Sequence, residues 1–282
     1  MDGYASVGAA LILGGMKVTR NARPPMAIVA DTAVLVTAPK EMLQAGYGDI
    51  IGKYSCLNDW KLSTAIYDEY FCQTVYDLTM ETVLEVEPLA ERILAREEEA
   101  VGLLMEALVT VGIAMSYVGN SRPASGSEHH LSHFFEITGI LEKKPYFAHG
   151  IDVLYSAVVT ARLREELLKA TPRRKSFDRA AWEAAIRRVY STSADGVIAL
   201  QDSLGWHERD DEALVIPKWE ALCDILREAP GEQQMRALVD RIGLDFTEFE
   251  TLYGEAKLAD AVNYAKDLKD RYSVLWLYAQ YG

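Results

Sequence analysis

The sequence predicts a mainly α protein, a helical domain preceded by a short β-rich segment. Two observations carry this. From Pro39 onward apolar residues recur at helical spacing in long runs that few prolines interrupt. Before Pro39 the pattern differs: A-A-L-I-L-G-G-M-K-V-T-R (9–20) holds two β-prone runs joined by Gly14-Gly15, a two-residue hairpin signal. With 282 residues, half of them hydrophobic and no internal repeat or low-complexity tract, the chain can bury one large or two ordinary cores.

In order along the chain, A-I-V-A-D (27–31), after Pro24-Pro25, reads as a further short strand, so residues 1–39 form the β-rich segment and 40–282 the helical domain. Helices are expected over 40–65, 69–86, 88–95, 97–118, 126–141, 150–170, 178–190, 194–205, 217–228, 231–241, 246–252 and 257–276. The most apolar run, residues 101–115, carries Glu106 and is too short to span a bilayer, so it is expected to be a core helix. Ser125 with Glu128 three residues on fits a capping box that starts the next helix just before His129.

Net charge is −13 and no long Lys/Arg run exists; Arg173-Arg174 and Arg187-Arg188 are the densest basic spots. Nucleic acid is therefore excluded as a natural partner, and an anionic substrate needs a local focus such as a metal ion or helix N-terminus. No membrane insertion is expected. Aspartate at position 2, with no early Lys or Arg, does not fit a signal peptide. Cys56, Cys72 and Cys223 are widely spaced and form no C-x-x-C, which reads as reduced thiols of a cytoplasmic protein.

Function is most legible in the histidines. Four of five lie between Ser127 and Gly150, in S-E-H-H-L-S-H and F-A-H-G. His129 and His133 are four apart and share one helix face; His130 is offset by about 100° and should face solvent or a neighbouring helix. His149 precedes a glycine at the start of another helical run. Two imidazoles from separate elements with one carboxylate make an open three-ligand metal site. The carboxylate is best sought in A-G-Y-G-D-I-I-G-K-Y-S-C-L-N-D-W (45–60), where Gly46 and Gly48 weaken a helix just before Asp49. Permissive backbone there fits either close approach of a ligand or a tight helix–helix crossing. Asp59 and Asp31 are rival carboxylates that spacing leaves open.

Taken in order, D-G-Y-A-S-V-G-A-A-L-I, A-D-T-x-x-L with A-P, A-G-Y-G-D-I-I-G-K-Y-x-x-L-x-D-W, G-S-E-H-H-L-S-H and H-G resemble the glycerol-1-phosphate dehydrogenases. These are a branch of the iron-containing alcohol dehydrogenase and dehydroquinate synthase superfamily. The motifs cover the first 150 residues; residues 151–282 carry no motif. The resemblance implies a dehydroquinate synthase-like C-terminal domain with Asp49, His129 and His149 as metal ligands. It places Asp49, His133 and Asp2 at the substrate, His133 as the catalytic group, and Ser6 at the nicotinamide cofactor. The implied metal is zinc, nickel or iron. The implied chemistry is reversible hydride transfer between NAD(P)H and dihydroxyacetone phosphate, giving sn-glycerol 1-phosphate for phospholipid metabolism.

One departure from the family pattern matters. Members carry, upstream of D-G-Y-A-S, a nucleotide-binding domain of roughly 100–150 residues with a glycine-rich turn. Here no G-x-G-x-x-G occurs, and Gly14-Gly15 is followed by Met16-Lys17. Three readings follow. One is a dehydrogenase whose cofactor half is missing from this sequence or supplied by a second chain. Another is a stand-alone metal-binding helical module without redox activity. The third, a lyase of the dehydroquinate synthase type, is disfavoured because it too needs a nicotinamide cofactor. This chain alone is expected to bind NAD(P) poorly, and to associate with itself or a second chain through apolar side chains such as Leu11 and Ile28.

Overall fold

The computed structural model describes residues 25–282 in full, and the backbone of two strands, β1 (Gly8–Leu13) and β2 (Met16–Asn21). These strands pair antiparallel, with Gly8 opposite Asn21 and Leu13 opposite Met16. Asp2, Ser6 and the Gly14-Gly15 turn lie outside the described residues, as does the side chain of Leu11.

Among the described residues, every regular element after the strands is a helix. Residues 27–31 are not a strand. Ile28 and Val29 are exposed, and Asp31 caps α1 (Thr32–Leu35) by accepting the Ala33 N–H at 3.0 Å. The apolar run is short, without a partnering strand among the described residues, so its β propensity has no ladder to join. The helix expected over 40–65 is two segments, α2 (Lys40–Ile51) and α3 (Lys53–Tyr67), meeting at Gly52. There follow α4 (Gln73–Val86), α5 (Ala90–Leu94), α6 (Glu98–Val118), α7 (Ser127–Glu142) and α8 (His149–Leu167). The second half holds α9 (Arg179–Tyr190), α10 (Ala194–Leu204), α11 (Glu212–Val215), α12 (Trp219–Arg227) and α13 (Glu232–Arg241). It ends with α14 (Phe246–Tyr264) and α15 (Val274–Tyr281).

Of two boundaries near the C-terminus, one agrees with the sequence reading and one corrects it. The pieces expected at 246–252 and from 257 are indeed separated: α14 is broken at Gly254, whose φ of 71° and ψ of 160° are not helical. The helix expected to run to 276 instead stops at Tyr264. A 3₁₀ turn over Ala265–Leu268 follows, and α15 starts afresh at Val274. That restart is set from far away: the Asp59 carboxylate accepts the Val274 N–H at 2.7 Å.

One large core joins α2, α6, α7 and α8. In α6, Val101, Leu104, Leu108, Val111 and Met115 make a buried stripe at spacings of three and four, while Ile113 and Tyr117 face outward. Among the described residues α6 alone is long and apolar enough to cross a membrane, yet half of it is packed in this core. α8 is the central helix. Its residues 150–161 are buried on all faces, against α2, α7, α13 and α15.

Candidate metal centre

The site is positioned by the crossing of α2 and α8. The two backbones touch through glycine: a Cβ on Gly48 would lie 2.2 Å from the Gly150 carbonyl oxygen, and one on Gly150 only 1.9 Å from that of Ala45. No other residue allows this approach. Of the two readings of the A-G-Y-G segment, the structure shows the tight helix–helix crossing. Asp49 follows Gly48 and His149 precedes Gly150, so the crossing that needs glycine also brings the aspartate and the histidine face to face.

α7 supplies the rest. One donor atom each from Asp49, His129 and His149 lies within 4.8 Å of the others. His129 Nε2 is 3.3 Å from Asp49 Oδ1, and the His129 and His149 ring centroids are 5.1 Å apart. His133, one turn along α7, stacks on His149 at 5.5 Å and 17°, and lies 6.0 Å from His129. Asp49, His129 and His133 are buried; His149 is half-buried.

The surroundings tune these groups. Lys53, on the next turn after Asp49, is fully buried; its Nζ donates to the Ala124 carbonyl at 3.0 Å and sits 3.2 Å from Asp49 Oδ1. Burial opposes ionisation of Asp49, but the Lys53 ammonium and the hydrogen bond from His129 outweigh it and hold the carboxyl well below the usual range. Glu128 Oε1 lies 2.6 Å from His129 Nδ1, and Ser132 Oγ lies 3.1 Å from His149 Nδ1. Each ring is thus held by one nitrogen with Nε2 turned to the other use, the arrangement by which outer partners orient metal-ligating histidines. Asp49 Oδ2 is buried and has no hydrogen-bond partner among the described residues. A buried carboxylate oxygen left so is costly, and a cation would satisfy it. Two imidazoles and a carboxylate suit zinc, nickel or ferrous iron.

The rival carboxylates are committed elsewhere. Asp59 Oδ2 accepts the Ser127 N–H at 2.6 Å while its Oδ1 accepts from Val274, so it caps α7 and α15 together. Asp31 caps α1. The capping box expected at Ser125 is not formed: Gly126 is the cap, and Glu128 accepts the Gly126 N–H while it orients His129. A Cβ on Gly126 would fall 2.5 Å from Asp59 Oδ2, which explains why no side chain caps there. His130 is fully buried rather than at solvent, and neither ring nitrogen has a hydrogen-bond partner among the described residues. Burial and the charges of Arg271, Lys269 and Arg122 push its imidazole well below its usual pKa, so it stays neutral. Sequence reasoning missed Lys53, Ser132 and the orienting role of Glu128. The spacing of four between Asp49 and Lys53 was the available signal.

Comparison with known proteins agrees with the resemblance. Residues 1–39 match the iron-containing alcohol dehydrogenase family. Over 282 residues, all of this chain and 60% of the relative, it is 32% identical to the glycerol-1-phosphate dehydrogenase [NAD(P)+] of Bacillus licheniformis. The enzyme of that name from Geobacillus thermodenitrificans is 33% identical over 248 residues, 86% of this chain and 54% of the relative. That of Pyrococcus furiosus is 38% identical over 162 residues, 57% and 46% respectively. The chain thus spans between 46% and 60% of the length of these relatives. Over the part of their length that it spans, this chain is similar in sequence to the glycerol-1-phosphate dehydrogenases.

Proposed function

We propose that this chain is the metal- and substrate-binding part of a cytoplasmic NAD(P)-linked dehydrogenase that reduces dihydroxyacetone phosphate to sn-glycerol 1-phosphate. The convergence of Asp49, His129 and His149 within 4.8 Å, with Asp49 Oδ2 buried and unsatisfied, carries this reading. Those three side chains would hold a divalent zinc, nickel or iron ion. Bound there, such an ion supplies a Lewis acid for a ketone oxygen, and a nicotinamide cofactor supplies the hydride.

The chain's own residues have distinct tasks. Glu128 and Ser132 fix the ring orientations of His129 and His149. Lys53 keeps Asp49 ionised, so the donor set is charged as a cation needs. His133 is assigned to the substrate, to give a proton to the product oxygen and take it back in the reverse direction; its stacking on His149, beside the three donors, supports this reading. Asp2 and Ser6 complete the assignment, at substrate and cofactor, from outside the described residues.

The test is turnover by the protein carrying this chain, with the nucleotide-binding domain of a relative added in trans if it lacks one. The reading expects dihydroxyacetone phosphate-dependent oxidation of NADH or NADPH that a chelator abolishes and zinc, nickel or iron restores, with the 1-phosphate enantiomer as product. Turnover that survives complete metal removal defeats it. Stoichiometric metal with no turnover in any arrangement favours the stand-alone metal-binding module instead.

A further inference from the structure

His149, the third donor of the metal centre, is the first residue of α8, and Ala148 at the cap position offers that helix no side-chain hydrogen bond. The His149 ring is held by Ser132. The backbone around it is held from the C-terminal part of the chain, where the sequence carries no motif. The Tyr253 hydroxyl, on α14, donates to the Asp152 carboxyl group, 2.9 Å from each oxygen, and accepts the Phe147 N–H at 3.3 Å. Phe147 lies two residues before His149 and Asp152 three after it. One hydroxyl therefore brackets the ligand from both sides.

The tyrosine that does this is itself fixed. Its ring stacks on Phe135 of α7 at 4.0 Å and 15°, and meets Phe249 edge-on at 5.1 Å. Since α7 also carries His129 and Ser132, the same ring packs on the helix that supplies the other imidazole. A hydroxyl has one hydrogen to give and lone pairs to accept with, and here both uses fall at the start of α8. Tyr253 and Asp152 are buried, so removing the hydroxyl strands a carboxyl group and an amide away from water. Tyr155 offers the contrast. Its hydroxyl also ties α8 to the start of α14, donating to the Asp245 carbonyl at 3.0 Å, but it bonds neither Phe147 nor Asp152.

We propose that Tyr253 is a positioning residue of the metal centre: by tying Phe147 to Asp152 it sets where His149 enters the donor set. The proposal rests on the metal reading above, and Tyr253 acts through His149. The probe is cobalt(II), whose visible absorption follows the geometry of its donors, titrated into the full chain against a chelator. Tyr253→Phe keeps the ring and its stacking but loses the hydroxyl. Its cobalt affinity should fall about 10–100-fold, the cost of losing an outer partner, and the absorption band should shift. Tyr155→Phe should lower the melting temperature to a similar extent yet keep the parent's affinity and band. Asp152→Ala should repeat the loss of affinity, whereas Asp152→Asn, which keeps an oxygen for the hydroxyl, should stay within about threefold of the parent. The Asp152 pair decides the matter even if Tyr253→Phe does not fold. A parent chain that takes up no cobalt defeats the metal reading and the positioning role with it. With a parent that binds, three results overturn the positioning role alone: Tyr253→Phe or Asp152→Ala matching the parent, Tyr155→Phe losing as much as Tyr253→Phe, or Asp152→Asn falling as far as Asp152→Ala.

Discussion

Replacing Gly150 by alanine adds one methyl group at the point where α2 and α8 cross. That Cβ would lie 1.9 Å from the Ala45 carbonyl oxygen and 2.6 Å from its carbon, both backbone atoms that cannot rotate away. Reaching even the 3.0 Å that packed Cβ atoms respect requires the helices to part by about 1.1 Å. Metal sites tolerate about 0.2 Å in donor distance, and Asp49 and His149 adjoin this contact on either side. Alanine gains about 1 kcal/mol of helix propensity over glycine, whereas overpacking of a core costs about 1–3 kcal/mol or more. The net expectation is a less stable protein, melting lower by about 2–4 °C for each kcal/mol, whose metal affinity falls further than its stability. Gly102→Ala, inside α6, is the control: its nearest neighbour is a threonine methyl at 3.2 Å, so it should keep its metal and melt no lower than the parent. Metal stoichiometry by mass spectrometry and thermal unfolding read the two variants. Full metal content and an unchanged melting temperature in Gly150→Ala would refute the claim that the glycine crossing builds the site.

Other outcomes follow from the same geometry. His129→Ala or His149→Ala should abolish stoichiometric metal binding, whereas His133→Ala and His130→Ala should retain it, as elemental analysis of the four variants will show. Glu128→Gln should weaken metal binding by about 10–100-fold in a competition titration, the usual cost of losing an outer partner. Asp59→Ala leaves two buried N–H groups without an acceptor, costing about 1–3 kcal/mol each in denaturant unfolding. Burial and the Glu128 charge push the Asp59 carboxyl up from its ordinary 3.8 to about 6. The folded state therefore holds that proton more tightly than the unfolded chain, so the contribution favours folding below pH 3.8 and is lost as pH rises through about 6. Asp59→Asn should flatten the melting temperature across that window, and an unaltered slope would show that another group governs it.

Local pattern carried much of the helical reading. The stripe on α6, from Val101 to Met115, declares a core helix by spacing alone. The ends of helices were harder to read, because several are set by residues far away in sequence. Ser273 is a capping residue type just before Val274, but its hydroxyl caps nothing; the Val274 N–H is met by Asp59, 215 positions earlier. At the candidate site the histidines stood out because the chain has few others, and the family motif named Asp49. The glycines beside it looked ambiguous, since a sequence shows that backbone is permissive but not what approaches it. Lys53 escaped because a lysine in a helix is ordinarily a solvent-facing residue, and only the fold buries it beside Asp49.

The most direct measurement is anomalous diffraction from crystals of the protein loaded with zinc, collected at the zinc edge. The account predicts one strong peak at about 2.0–2.2 Å from an Asp49 carboxylate oxygen, His129 Nε2 and His149 Nε2, with His133 adjacent but outside that shell. No peak at that point, or a peak elsewhere with those three side chains left as they stand, would contradict it.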